Sequence, residues 1–299
     1  MKGWIFYKRG QKELTDADHG VNRLVAESKK LAIDLSVINP ASLELIISAK
    51  EPRILLNGKQ IKAPDFIIPR TGADTTYQAL ALLRQFELSG VYCANTPESI
   101  ENVKDKLLTG QLMMKNGLPI PKTMLLNFPV SAALVEQELG FPIVMKAIAG
   151  AKGNGVCLCE SVNSFIDLLG LLGPQPNQTY IAQQFIASSY GRDLRVFVLG
   201  ERVIGCMQRT AHHSFKANYS LGGDVSAFPL NSEIEHLALT CSKTVGLEIA
   251  GIDLLFGPDG FIVCEANSSP GFKGMELATG DNIAAQILSY VVAQVEAGK

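Results

Sequence analysis

Short apolar runs alternate with longer amphipathic stretches through the first third of the chain. Trp4–Tyr7 reads as a strand, and Asp18–Leu31 as a helix with Val21, Leu24, Val25 and Leu31 on one face. Leu35–Ile38 is a short strand closed by Asn39-Pro40. Leu43–Ile47 and Arg53–Ile61 read as edge strands, the second folded at Asn57-Gly58. Phe66–Ile68 leads into Pro69-Arg70-Thr71-Gly72. A helix over Ala73–Leu88 and a strand over Val91–Cys93 follow. This alternation predicts a parallel, doubly wound sheet. No glycine fingerprint follows the first strand, which argues against a dinucleotide site there.

Thr96-Pro97-Glu98 is a helix start, with a cap, a proline at the first position and an acid in the first turn. The helix is expected to run through Leu107 to Lys115 and to end at Asn116-Gly117. Beyond the stiff Leu118–Pro121 connector come strands at Thr123–Leu126, Ile143–Lys146, Gly155–Cys159 and Tyr180–Phe185, with helices at Val130–Leu139 and Val162–Leu172. The last third is strand-rich. Asp193–Leu199 and Arg202–Arg209 form a hairpin, Thr210–Gly223 a polar loop and Val225–Phe228 a strand. A helix follows over Ser232–Val245, then a second hairpin, and Asn282–Val295 closes the chain as a helix. The expected units are 1–96, 97–187 and 188–299.

At 299 residues, 47% of them hydrophobic and 19% charged, the chain has the make-up of a multi-domain globular protein with a substantial core. A net charge of −2 gives no global basic field to recruit nucleic acid. No apolar stretch approaches the roughly 20 residues needed to span a bilayer, and the amino-terminal apolar run is too short for a signal peptide. A cytoplasmic location is the expectation. The six cysteines sit mostly in apolar, strand-like contexts, and Cys157-Leu158-Cys159 lacks zinc-site spacing. His212-His213, in the polar loop, reads as surface.

Candidate chemistry concentrates in the second hairpin. Gly251–Phe256 turns at Gly257–Gly260 into Phe261–Pro270. Asp253 and Glu265 are expected to face each other across the ladder, roughly 4.5–5.5 Å apart. Asn267 lies on the same side as Glu265. Two carboxylates among Ile, Leu and Val repel unless a cation lies between them, and an Asp/Glu/Asn oxygen set suits Mg²⁺. A second cluster begins at Lys146, at the end of an apolar strand, followed by a loop carrying Gly150, Gly153 and Gly155. Such glycines let backbone N–H groups approach an anion. The loop joins strand to strand, as a flap does, and departs from the Walker A pattern. Lys106 lies on the helix after Thr96. Gln183-Gln184-Phe185-Ile186 ends a strand whose edge can present backbone groups to a purine. Asp193 and Arg195 share one strand face, and Arg209, Lys216 and Asn218 surround the polar loop. Cations near a carboxylate-held Mg²⁺ are what phosphoryl chemistry needs.

These pieces together resemble the ATP-grasp carboxylate–amine ligases of the RimK-like glutamate ligase family. The likeness is carried by Pro69–Gly72 with Leu83–Glu87, Gly90–Tyr92, Asp105–Leu107, Met145–Val156, Asp193–Arg195, Phe215–Gly223, Gly251–Asp253 and Glu265–Gly271. It implies an α/β and α+β fold: a doubly wound pre-ATP-grasp domain at 1–96, then a two-part ATP-grasp fold. In that fold, 97–187 carries the phosphate flap and 188–299 the metal site. It implies that Lys106 and Lys146 touch ATP phosphates and that the flap, with Gly153 and Gly155, closes over them. Gln184 and Phe185 take the adenine-hinge positions, Asp193 the ribose position, and Lys216, Ala217 and Asn218 a further nucleotide-contacting segment. Asp253, Glu265 and Asn267 would hold two Mg²⁺ or Mn²⁺ ions. Lys146, Arg209 and Asn267 would be catalytic, and Arg70, Arg209 and Lys216 would bind substrate carboxylates. Family members commonly carry Glu where Gln184 stands, and Arg-Ser-Asn where this chain has Lys216-Ala217-Asn218. Gln still accepts from an adenine amine, and Lys keeps the charge without bidentate geometry.

The expected reaction joins glutamate, as amine, to an acceptor carboxylate through an acyl phosphate, with release of ADP and phosphate. The acceptor is a ribosomal-protein C-terminus, another carrier protein or a small molecule, and self-association is left open. The alternative from another class is a nucleotide-sensing module without ligation.

Overall fold

The computed structural model describes the chain apart from residues 149–154, 175–177, 218, 220, 221 and 299. The chain opens with β1 (Lys2–Phe6), α1 (His19–Lys30) and β2 (Asp34–Ile38). A small antiparallel sheet of β3 (Leu43–Ile46), β4 (Arg53–Leu56) and β5 (Lys59–Gln60) follows, turning at Asn57 and Gly58, both with positive φ. The chain returns through β6 (Phe66–Pro69), α2 (Tyr77–Leu88) and β7 (Tyr92–Cys93). The parallel sheet has the order β2-β1-β6-β7. β2 lies on one side of β1 and β6 on the other, so the strand order reverses between β1 and β6. In open α/β sheets the crevice at the carboxyl ends of such a strand pair is where ligands bind.

Two expected helices differ from those observed. α2 starts at Tyr77 and not at Ala73, because Thr76 is extended and its hydroxyl caps Ala79 N–H at 3.1 Å. The single helix expected from Thr96 to Lys115 is two: α3 (Pro97–Lys104) and α4 (Lys106–Lys115). Asp105 between them is extended, and its carboxylate accepts from Leu107 and Leu108 N–H at 2.8 and 3.1 Å. An aspartate that serves as a cap in mid-run breaks the helix and sets Lys106 at the start of a new one.

A second sheet, in the order β10-β9-β11-β8, is antiparallel throughout. It contains β8 (Thr123–Leu126), β9 (Ile143–Ala147), β10 (Val156–Cys159) and β11 (Tyr180–Gln184). α5 (Ala132–Leu139) and α6 (Val162–Leu172) cover one face, burying Val135 and Phe165 against Ile143, Met145, Tyr180 and Ala182.

The third sheet, β14-β13-β12-β15-β16, comprises β12 (Arg192–Leu199), β13 (Arg202–Thr210), β14 (Asp224–Ala227), β15 (Ile249–Phe256) and β16 (Phe261–Asn267). α7 (Ser232–Val245) buries Ile234, Cys241 and Val245 against Leu194, Val196, Ile252 and Leu254, and Met113 of α4 joins this core. On the opposite face, Phe197 and Leu199 pack with Phe272 and with α8 (Lys273–Thr279) and α9 (Ile283–Ala297). That core also includes Ile5, Val21, Leu24 and Ile68, so it joins the first sheet to the third. α8 has no counterpart in the pattern reading. It is seven residues long, too short for a periodic signal, and it is held by packing: a Cβ on Gly274 would meet Val225 at 3.3 Å.

The seam is polar as well as apolar. Asn95 accepts from Glu248 and Ile249 N–H at 2.9 and 3.0 Å and donates to the Ile249 and Ser268 carbonyls at 2.9 and 2.8 Å. The Tyr92 and Tyr290 hydroxyls both donate to Glu248 Oε2. Among the described residues no helix is long and apolar enough to cross a membrane.

Candidate active site

β15 and β16 pair with Asp253 opposite Glu265 and Gly251 opposite Asn267. The pairing depends on a bulge. Phe256 faces Phe261 and Leu254 faces Val263, so an unbroken ladder would bring Asp253 opposite Cys264. Cys264 has no ladder partner, and the register resumes one residue later. Bulges re-aim side chains in this way. Here Val263 and Ala266 both join the core under α7, while Glu265 and Asn267 stay half-buried. In a regular strand Val263 and Glu265 would share a face.

Asp253 is 6% exposed and is met by arginines. Arg195 lies opposite it on β12 and donates through Nε and Nη2, the latter at 2.9 Å. Arg209 Nη2 reaches Asp253 Oδ2 at 3.0 Å. Arg209 also binds both oxygens of Asp193, at 2.7 and 2.6 Å. Burial works against the Asp253 charge, but Arg195 and Arg209 overcome it and hold the carboxyl below its ordinary range. Burial likewise opposes the Arg209 cation, and Asp253 and Asp193 raise its pKa regardless. Gly251 makes room for the array, since a Cβ there would fall 3.1 Å from Arg195 Cδ and 2.6 Å from Pro270 Cβ. Asp253 is thus engaged by two arginines in this structure.

A cavity of about 350 Å³ lies between the second and third sheets, lined by Lys106, Lys146, Gln183, Val263, Cys264 and Glu265, among others. Lys146 Nζ donates to Gln183 Oε1 at 2.6 Å, and Gln183 Nε2 donates to Thr123 Oγ1 at 2.9 Å. Lys106 Nζ donates to the Ile148 carbonyl at 3.2 Å. Burial pushes the Cys264 thiol up to about 11. Three expected residues, Lys106, Lys146 and Glu265, therefore converge from α4, β9 and β16.

Others fall elsewhere. Gln184 is exposed and outside the cavity lining. Phe185 meets Tyr190 and Phe215 edge-on, with ring centroids 6.1 and 6.5 Å away. Asp193 is committed to Arg209, as described. Lys216 Nζ lies 5.5 Å from the centre of the Phe215 ring, and Ala217 is buried. Arg70 is buried at the carboxyl end of β6, where Nη2 donates to the Pro270 carbonyl at 2.8 Å. Gly155 has φ +69°, a conformation that favours glycine. Gly150, Gly153 and Asn218 lie outside the described residues. His212 is exposed and pairs with Asp224 at 2.8 Å. The six cysteines are free thiols.

Two residues with prominent roles were not singled out for them from sequence. Gln183 is the member of the Gln183-Gln184 pair on the Lys146 side, a relation set by the pairing of Ile181 with Lys146, which only the strand register supplies. Arg195 stands opposite Asp253, a relation that only the strand register supplies.

Glu265 and Asn267 carry hard oxygen donors that fit a divalent cation, whereas both oxygens of Asp253, the third member of the expected set, are engaged by Arg195 and Arg209 here. Glu265 and Asn267 share one side of β16. The Asn267 amide nitrogen is used on the Gly251 carbonyl at 3.1 Å, leaving its oxygen as the ligating atom. Two carboxylates and an amide oxygen are hard donors. Among the described residues no group of three or more His, Cys, Asp or Glu side chains is placed to hold a metal. The amide therefore completes the candidate set.

A family model for the RimK PreATP-grasp domain matches residues 15–100, and one for the RimK-like ATP-grasp domain matches 103–291. A probable alpha-L-glutamate ligase from Rhodopirellula baltica is 35% identical over 280 residues, covering 93% of this chain and 69% of its own length. Probable alpha-L-glutamate ligase 1 from Shewanella denitrificans is 36% identical over 276 residues, covering 91% and 93%. Among solved structures, the ATP-grasp ligase PsnB, complexed with minimal precursor, Mg and ADP, superposes with a TM-score of 0.74 over 99% of this chain and 98% of its own. At 20% identity that likeness speaks to the fold alone. Since the two family models span both the parallel-sheet unit and the clefted pair of sheets behind it, the chain belongs to the RimK-like ATP-grasp family.

Proposed function

We propose that this ADP-forming carboxylate–amine ligase joins the amine of glutamate to the carboxylate of an acceptor by way of an acyl phosphate. The observation that supports this most is the convergence of Lys106, Lys146 and Glu265 on one cavity between two sheets. An acceptor carboxylate oxygen attacks the γ-phosphorus of ATP, and the bond to ADP breaks. The glutamate amine then attacks the acyl carbon, phosphate leaves with its bonding pair, and the nitrogen sheds a proton. No covalent enzyme nucleophile is needed. Lys106 and Lys146 hold phosphate oxygens, with Lys146 aimed by Gln183. Arg209, fixed by two aspartates, supplies positive potential where charge develops. Glu265, Asn267 and Asp253 would hold Mg²⁺ (or Mn²⁺, two ions in all), which when bound neutralises phosphate charge. We assign the nucleotide to residues 97–187 and 188–299, and substrate recognition to 1–96 in concert with them.

Both relatives named above are probable alpha-L-glutamate ligases, which favours glutamate as the amine. PsnB structures contain precursor peptides, which favours a polypeptide acceptor, of which a ribosomal-protein C-terminus is one candidate. ATP-dependent chemistry of this kind fits the cytoplasm. The test is incubation with ATP, Mg²⁺, glutamate and cell extract, followed by mass spectrometry for a glutamyl addition. Glu265→Gln is expected to keep the fold and lose glutamate-dependent ADP release by at least about 100-fold. Near-normal turnover in that variant would refute its role.

A further inference from the structure

The hairpin that carries Asp253, Glu265 and Asn267 is finished by a residue from the first sheet. β15 starts at Ile249, and β16 stops at Asn267, which pairs with Gly251. Beyond that pair the strands part, and the amide of Asn95 lies between them. Its Oδ1 accepts from Glu248 and Ile249 N–H at 2.9 and 3.0 Å, at the entry to β15. Its Nδ2 donates to the Ile249 carbonyl at 2.9 Å and to the carbonyl of Ser268, the first residue after β16, at 2.8 Å. Asn95 is 1% exposed. Two N–H bonds and two lone pairs are the whole capacity of an amide, and backbone groups use all four. The N–H and carbonyl of Ile249, which a longer β16 would take, both go to Asn95 instead. A side chain thereby stops the ladder at Asn267.

The chain then folds back across β15. Pro270 covers Gly251, where a Cβ would fall 2.6 Å from Pro270 Cβ, and the Pro270 carbonyl accepts from Arg70. Ser269 lies against Gly72, where a Cβ would meet Ser269 Cβ at 3.5 Å. Asn267 spends its amide nitrogen on the Gly251 carbonyl. The direction of its oxygen therefore follows the backbone at 267–268, and Asn95 holds that backbone at its next carbonyl. The described residues that line the cavity all lie at or beyond Val103. The first sheet acts on the site through this loop.

We infer that Asn95 is a positioning residue for the candidate cation site. By holding the Ser268 carbonyl and ending the ladder at Asn267, it fixes the Asn267 amide oxygen beside Glu265. This rests on the cation role given to Glu265 and Asn267 above and extends it to the first sheet. The competing account is that Asn95 only fastens the seam, as the Tyr92 hydroxyl does on Glu248. The two differ in what they set. An outer partner that aims a ligand changes metal affinity by roughly 10- to 100-fold when removed. A bond that only fastens changes stability and leaves affinity alone.

Manganese titration of the full chain separates these accounts. Mn²⁺ binding is followed by electron paramagnetic resonance in the presence of a nonhydrolysable ATP analogue. Wild type, Asn95→Asp, Asn95→Ser and Tyr92→Phe are compared, with a urea midpoint for each. Asn95→Asp keeps the acceptor for the two N–H groups and sets an oxygen against the Ser268 carbonyl. Both Asn95 variants are expected to weaken Mn²⁺ binding by roughly 10- to 100-fold, and Tyr92→Phe by less than about twofold although it also loosens the seam. Asn95→Ser should lose ADP release at low Mg²⁺ and recover most of it when Mg²⁺ is raised about 100-fold, a rescue that a loosened seam would not show. Asn95→Ser is uncharged, so it carries the test if Asn95→Asp does not fold. Wild-type Mn²⁺ affinity in a folded Asn95 variant overturns the inference, as does an equal loss in Tyr92→Phe. Failure of wild type to bind Mn²⁺, or loss of fold in both Asn95 variants, overturns it too. Glutamate-dependent ADP release by wild type reports separately on ligation. Turnover with Asn95-independent Mn²⁺ binding leaves a ligase whose cation site Asn95 does not position. Asn95-dependent Mn²⁺ binding without turnover leaves the positioning without a ligase.

Discussion

Asp253 shows how one residue can be read correctly in place and incompletely in company. Its position opposite Glu265 holds, but the charges that answer it belong to Arg195 and Arg209. Removing one member of a buried ion array strands the others, at about 3–5 kcal/mol. Arg209→Met is therefore expected to lower stability at pH 7 by about that much, because both Asp193 and Asp253 lose a partner. The pH dependence follows from the depressed Asp253 carboxyl. Its contribution is complete above the unfolded value of about 4 and is lost as pH falls through the lower folded value. Urea midpoints of wild type and variant should draw closer as pH falls from 7 to below about 4, where the Asp253 contribution begins to be lost. A constant gap across that range would show that the array does not carry the difference. The same side chains show the reach of sequence reasoning at this scale. Residue types and spacing pointed to Lys146, Glu265 and Asn267, because strand periodicity is local. Only the register between separated strands reveals that Arg209 holds Asp193 and that Gln183, rather than Gln184, aims Lys146.

Most elements were legible, and the misreadings have particular causes. The Ser232–Val245 helix and the Asn57-Gly58 turn follow from capping, periodicity and turn chemistry. Asp105 was read as part of a helix because an isolated acid fits a helical pattern until its backbone is seen to be extended. Asp253 and Glu265 face each other as expected, but the pair arises from the extra residue at Cys264, which residue spacing does not show. That origin has a consequence. Deleting Cys264 would make Leu254–Val263 and Asp253–Glu265 successive ladder pairs, with every later pair unchanged. The fold is expected to survive the deletion, with a melting temperature within about 8 °C of wild type, a shift of roughly 1–3 kcal/mol. Glutamate-dependent ADP release should fall at least about tenfold, since the bulge bends the strand where Cys264 and Glu265 line the cavity. Full activity on a straightened strand would mean that the bulge does not aim Glu265.

At the scale of the molecule, the sheets are not equally anchored. β12 and β15 lie between two cores, one under α7 and one reaching through Phe272, α9 and α1 to the first sheet. Four hydrogen bonds at Asn95 and the two tyrosines on Glu248 fasten that seam further. The second sheet differs: among the described residues its core draws on those between Met124 and Ala182, and its other face looks onto the cavity. Sequence could delimit these units but not reveal which share a core, because α9 joins the first sheet across the whole length of the chain. Segments with fewer anchoring contacts open at lower free energy than the whole. Amide hydrogen exchange should therefore be faster in β9 and β11 than in β12 and β15. A nonhydrolysable ATP analogue with Mg²⁺ at 100 times its Kd should slow exchange in β9 and β11 by up to about 100-fold, the limit set by linkage, and should leave the first sheet nearly unchanged. Equal protection of the second and third sheets in the free protein would show instead that the cavity walls open only with the whole molecule.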